Sequence, residues 1–190
     1  MNFFIGQLID HLYNVPSIGL WTLFNEGWGQ FDSIRLTKMI KEQFDNTRPI
    51  DSASGWYDQG ENIGDFQSLH IYNSSFYGGD SDDKRAVILS EFGGYALRTD
   101  KCHLFWPSKS FGYNEFASVD DLQEAISELY RNEVFDNINE GICATVYTQL
   151  TDVETEINGL LTYDRKVQKV SPEFLSQLNH ELYEIGNKFE

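Results

Sequence analysis

Two glutamates in this 190-residue chain each end an apolar run: Glu26 after Ser17-Ile18-Gly19-Leu20-Trp21-Thr22-Leu23-Phe24-Asn25, and Glu91 after Val87-Ile88-Leu89-Ser90. An uncharged stretch of this kind is expected of a strand covered on both faces, as in a parallel sheet sheathed by helices. A carboxylate that appears where such a strand surfaces lies on the face where parallel barrels place their catalytic groups. Two carboxyls in one cleft can work on an acetal: one protonates the leaving oxygen while the other attacks the carbon, and in the retaining arrangement they sit about 5 to 5.5 Å apart. Asn-Glu pairs alone carry little, because the chain holds four of them. Asn132-Glu133 and Asn139-Glu140 lie in or just after a helical pattern and Asn114-Glu115 lies in an aromatic loop. Only Asn25-Glu26 ends a strand.

The elements that must position these groups alternate along the chain. Phe4, Ile5, Leu8, Ile9 and Leu12 predict a helix over 3–13, stopped by Asn14 and Pro16. Strands are expected at 17–26, 49–55, 66–73, 85–92 and 141–150. Phe31, Ile34, Met39, Ile40 and Phe44 predict a helix that ends before Arg48-Pro49. Residues 92–117 read as a long loop rich in aromatics and glycine, of a size that is usually functional or disordered. Ser118 with Asp121 starts a helix whose buried face is Leu122, Ala125, Ile126, Leu129 and Tyr130. Ser171-Pro172 opens a last helix, 171–186, with Gly186 suited to its end. This alternation implies βα units and an α/β fold with a parallel sheet. Five strands fall short of the eight in roughly 250 residues that close a barrel, so the chain reads as an open doubly wound sheet or as the second part of a barrel.

Composition bounds the function. A hydrophobic share of 41% and an aromatic share of 15% exclude a disordered class. Fourteen Lys and Arg stand against 30 acids, a net charge of -16, which argues against nucleic acid as a partner. No apolar run of about eighteen residues suggests a membrane span, and no basic segment followed by an apolar core suggests a signal peptide. A cytoplasmic location is therefore the default expectation. Cys102 and Cys143 lack metal or disulfide spacing and read as ordinary thiols. No cofactor motif, phosphate loop or Gly-x-Ser-x-Gly elbow is present.

Four segments together, Asn25-Glu26 after the strand with Trp21, His70-Ile71-Tyr72, Ser90-Glu91-Phe92-Gly93-Gly94, and Gly159-Leu160-Leu161-Thr162-Tyr163-Asp164-Arg165-Lys166, resemble glycoside hydrolase family two. That family comprises the β-galactosidases, β-glucuronidases and β-mannosidases. The resemblance runs in order from about residue 4 to about residue 170. It implies a partial (β/α)8 TIM barrel, strands four to eight with their helices, as a single partial catalytic domain over 1–190. It implies that Glu26 is the acid/base and Glu91 the nucleophile, that Asn25 binds the sugar's 2-hydroxyl, and that Tyr72 hydrogen-bonds the nucleophile.

Three features depart from the family. Its tryptophan near the end of strand eight is replaced by the neighbourhood Tyr147-Thr148-Gln149, so stacking on the sugar falls to other rings, such as Tyr147. Glu156-Ile157-Asn158 occupies the positions of the Asn-x-Lys of glucuronidases, and a glutamate there would repel a sugar carboxylate. Strands one to three have no counterpart in the chain. The expected activity is thus that of a retaining β-glycosidase on a neutral β-linked sugar, with a carbohydrate as partner and neither metal nor cofactor. The competing expectation is an inactive half-barrel that self-associates or is complemented by the missing half.

Other residues admit two readings. His70 reads as a buried structural histidine or as a sugar ligand. Trp56 and Trp106 read as sugar platforms or as loop packing. Asp152, Glu154 and Glu156 read as a solvated edge rather than a cation site, and Asp80, Asp82 and Asp83 as a solvated turn.

Overall fold

A computed structural model describes residues 2–60 and 63–188. Among the described residues, four α-helices, α1 (Asn2–Leu12), α2 (Ser33–Gln43), α3 (Val119–Leu129) and α4 (Pro172–Gly186), are joined with seven strands. The strands are β1 (Trp21–Thr22), β2 (Ile50–Asp51), β3 (Phe66–Ile71), β4 (Ala86–Gly93), β5 (Tyr95–Leu97), β6 (Asn114–Phe116) and β7 (Ile142–Thr148). They form small sheets: β1 with β2 in parallel, β5 with β6 in parallel, and a three-stranded sheet in the order β3-β4-β7. The fold is mixed α/β, and among the described residues no sheet closes into a barrel. Two compact units are present. One comprises Met1–His70 and Gly78–Ser90, the other Ile71–Tyr77 and Glu91–Glu190.

In the first unit, Ile9, Trp21, Ile40 and Ile50 are buried together, so α1, α2 and the β1–β2 pair share one core. Its polar anchor is Asp45, 2% exposed, which accepts from Trp21 Nε1 at 2.9 Å and from Arg48 Nη1 at 2.7 Å. Burial works against the charge of Asp45, yet hydrogen bonds from Thr47, Trp21 and Arg48 outweigh it and hold the carboxyl well below the usual range. Arg48 also donates to Ile18 O and Tyr13 O, tying down the turn before β1. The stretch 17–26 is not covered on both faces as its composition predicts. Trp21 is buried, whereas Leu20, Leu23 and Phe24 are half-buried and Thr22 is exposed. Its one described partner is β2, followed to Glu26 by the bonds Leu23 N–H to Asp51 O, Ser54 N–H to Phe24 O and Glu26 N–H to Ser54 O.

The second unit carries α3, α4, β5, β6 and β7. Ser118 Oγ accepts from Asp121 N–H at 3.1 Å and Ser171 Oγ accepts from Phe174 N–H at 3.1 Å, with Pro172 in the first turn of α4. Each such cap is worth about 1 kcal/mol. After α3 the chain widens into a π turn, Tyr130–Val134, then tightens into a 3-10 segment, Phe135–Glu140, stopped by Gly141 at φ 102°.

The segment 92–117 is not structureless. Residues 95–97 pair with 114–116, so Asn114-Glu115 lies in a strand instead of a loop, and Ala96, Leu104 and Ile157 form a small core beside them. Asp152 is also not on a solvated edge. It is 3% exposed and bonded to Lys169 Nζ at 2.6 Å, and Lys169 donates further to Ile157 O. Asp83 is mostly buried and pairs with Arg85. Glu154 is exposed.

Candidate functional site

In the first unit, Glu26 makes the last backbone bond of its strand and is held at φ 55°, a left-handed conformation that costs a non-glycine residue about 1–2 kcal/mol. Gln30 braces it: the Gln30 amide donates to Glu26 O and to Tyr57 O, and its oxygen accepts from Gln59 N–H. Tyr57 is itself left-handed at φ 61°. One side chain thus pins both unusual backbones. Nothing in the spacing of the sequence marked Gln30.

The Glu26 side chain is 23% exposed and its Oε1 lies 3.2 Å from His70 Nδ1. The side chain of His70, on β3, is fully buried, and its Nε2 lies 2.8 Å from Ser54 Oγ. This chain of three groups works in either proton state. An ionised Glu26 accepts from Nδ1–H while Nε2 accepts from the serine. A protonated Glu26 donates to Nδ1 while Nε2–H donates to the serine. Trp56, 48% exposed, meets the His70 ring edge-on at 5.4 Å, and Trp28 Nε1 lies 3.4 Å from Glu26 Oε2. Asn25 is exposed and pairs with Ser54 through the backbone.

Deeper in the same unit, Asp51 is 1% exposed and neither carboxylate oxygen has a hydrogen-bond partner. Burial pushes its carboxyl up to about 6, opposed by the nearby Ser68 hydroxyl and Ala53 N–H, which close no bond of good geometry.

In the second unit, Glu91 emerges from β4 between buried Ser90 and buried Phe92. Tyr72 Oη lies 2.7 Å from Glu91 Oε2 and 2.9 Å from Thr148 Oγ1, at the end of β7. The phenol has one proton. It goes to the carboxylate, and the threonine hydroxyl donates to the phenol oxygen. Burial, together with the carboxylate of Glu91, raises the Tyr72 hydroxyl far above its ordinary value, so it stays a donor throughout the working pH range. Gly93 and Gly94 have φ of 87° and 69°, and a Cβ would strike the ring of Tyr147 at the first and of Tyr113 at the second. Glycine is required there by both conformation and space.

The remaining expected platforms are placed differently. Tyr147 is taken up in packing, 5.6 Å from Phe92 and 6.4 Å from Tyr130 between centroids, with its hydroxyl buried. Trp106 is 49% exposed and packs edge-on against Phe105 at 5.2 Å. Glu156 accepts from Gln149 Nε2 at 3.0 Å and from Asn158 Nδ2 at 3.3 Å. Thr148 and Ser54 were not singled out from the sequence, because a lone hydroxyl residue at a strand end has no distinguishing pattern. Both cysteines are free thiols, and among the described residues no helix is long and apolar enough to cross a membrane. Compared with models of known protein families and with curated protein sequences, the chain matches none.

Proposed function

We propose that the chain carries the catalytic groups of a retaining β-glycosidase acting on a neutral β-linked sugar, and that its α/β fold is the strand-four-to-eight portion of a (β/α)8 barrel. The observation that carries this reading is the pairing of Glu91 with a tyrosine that keeps its proton: a fixed donor suits a carboxylate that must be ionised to attack. In the first step a Glu91 oxygen bonds to the anomeric carbon as the glycosidic C–O bond breaks, and Glu26 gives its proton to the departing oxygen. In the second, Glu26 takes a proton from water, the water oxygen attacks the anomeric carbon, and the bond to Glu91 breaks. Two inversions leave the sugar with its starting configuration. The His70–Ser54 pair accommodates both proton states that Glu26 passes through. The net charge of -16 disfavours anionic sugars.

The test is hydrolysis of a panel of aryl β-glycosides by the purified chain, with products followed by NMR. The reading expects release of the aryl alcohol and a β-configured first product. An α-configured first product, or no turnover of any member, contradicts it. A second reading, a chain that is inactive until a partner segment completes the fold, is favoured by one observation: Phe4 and Leu8 on α1 are 70% and 56% exposed, an apolar face turned to solvent. It predicts activity only when a complementing segment is supplied.

A further inference from the structure

Among the partly exposed rings of the segment between β4 and α3, two stand in a row with Tyr72, the donor to Glu91. Phe111 is 47% and Tyr113 37% exposed. They meet at 5.3 Å between centroids with planes 71° apart, and Tyr113 stacks on Tyr72 at 4.0 Å, 5° from parallel. The backbone holds both in place. Phe111 N–H donates to Thr155 O at 2.7 Å, Phe111 O accepts from Ile157 N–H at 2.8 Å, and Tyr113 N–H donates to Gly94 O at 3.1 Å. An aromatic ring on a braced backbone, standing partly in solvent, loses little conformational freedom when a ligand covers it. Next to Tyr72 and Tyr113 in the chain, the exposed amides of Asn73 and Asn114 are joined by a 3.2 Å hydrogen bond, so polar groups adjoin the rings.

The row begins at the group that contacts Glu91, since Tyr72 donates to that carboxylate. Resting on the glycosidase reading, we infer that Tyr113 and Phe111 form a platform for a second, uncharged ring of the substrate, beyond the sugar whose bond is cleaved. The chemistry it fits is a ring with an apolar face, presented either by a further pyranose or by an aryl aglycone. Aromatic faces carry negative charge density and attract C–H groups and ring edges, while the acidic chain repels a carboxylated ring.

Binding is read on the full chain carrying Glu91→Gln, so that no ligand is consumed. Ligand-observed NMR titrations use a phenyl β-glycoside, the matching β-linked disaccharide, and the methyl β-glycoside, which lacks a second ring. The expected result is that Phe111→Ala and Tyr113→Ala each weaken binding of a two-ring ligand by about tenfold, and that Phe111→Ala leaves the methyl glycoside unchanged. Phe111→Tyr retains the affinity. A loss confined to the phenyl glycoside assigns the platform to an aryl group, and one confined to the disaccharide assigns it to a sugar; either supports the inference. Unchanged affinity in both alanine variants, an equal loss for the methyl glycoside in Phe111→Ala, or no binding of the two-ring ligands overturns it. Turnover by the unmodified chain with ring-independent binding overturns this inference alone. Ring-dependent binding with no turnover removes the catalytic reading and leaves a sugar-binding surface.

Discussion

Glu26 and Glu91 end stretches of similar apolar character, but their surroundings differ in what the partner can do with a proton. His70, beside Glu26, can donate or accept at Nδ1, and Ser54 follows it in either tautomer. Tyr72, beside Glu91, keeps its proton because burial raises the phenol far above the working range, and Thr148 supplies the phenol's own donor. A reversible partner suits a carboxyl that changes state twice in each cycle, and a fixed donor suits one that stays ionised until it forms a bond. The two units also treat a buried aspartate differently. Asp51 in the first has no partner, while Asp152 in the second is paired with Lys169.

The largest effect that separates the glutamates is on turnover. Glu91→Gln is expected to lower kcat/KM at least about 10⁴-fold whatever the leaving group. Glu26→Gln is expected to cost about 10² to 10⁴-fold with an alkyl leaving group, and far less in the first step with a dinitrophenyl group that departs without protonation. Steady-state kinetics across leaving groups checks this, and equal leaving-group dependence in the two variants would erase the division of labour.

The buried aspartates give the next test. Lys169→Met strands Asp152 and is expected to lower the unfolding free energy by about 3–5 kcal/mol, measured in urea. Asp51→Asn works in the other direction. Because the folded carboxyl is raised to about 6 from 3.8, its ionisation opposes folding at neutral pH. The variant should be more stable than the parent by about 3 kcal/mol above pH 7, and the gap should close as pH falls through about 6 toward 4. Urea titrations of both proteins at pH 7.5, 6 and 4.5 read that gap, and a pH-independent difference contradicts it. The smallest expected effect is that of Tyr72→Phe, which removes one hydrogen bond to a charged acceptor and should cost about 10- to 100-fold in kcat/KM.

Much of this arrangement is legible in the residues. Ser118 and Ser171-Pro172 mark helix starts that form as expected, and the apolar run before Glu91 becomes β4, buried from Ile88 to Ser90. Local chemistry decides these elements, so local sequence reveals them. The pairing of 95–97 with 114–116 joins short stretches almost twenty residues apart, each too brief to show a period. Asp152 reads as solvated because its cation lies 17 residues away and only the fold brings it near. The stretch before Glu26 looks fully buried because composition reports apolar content, while coverage depends on neighbours. Gln30, Thr148 and Phe111 gain their roles from tertiary contacts alone.

The most direct measurement is covalent trapping of the glycosyl intermediate. The purified chain is incubated with a 2-deoxy-2-fluoro β-glycoside bearing a dinitrophenyl leaving group, and peptides are mapped by mass spectrometry. The account predicts one sugar added per chain, on the peptide containing Glu91, with no addition in Glu91→Gln. Addition at another residue, or release of dinitrophenol from a chain that never carries the sugar, would contradict it.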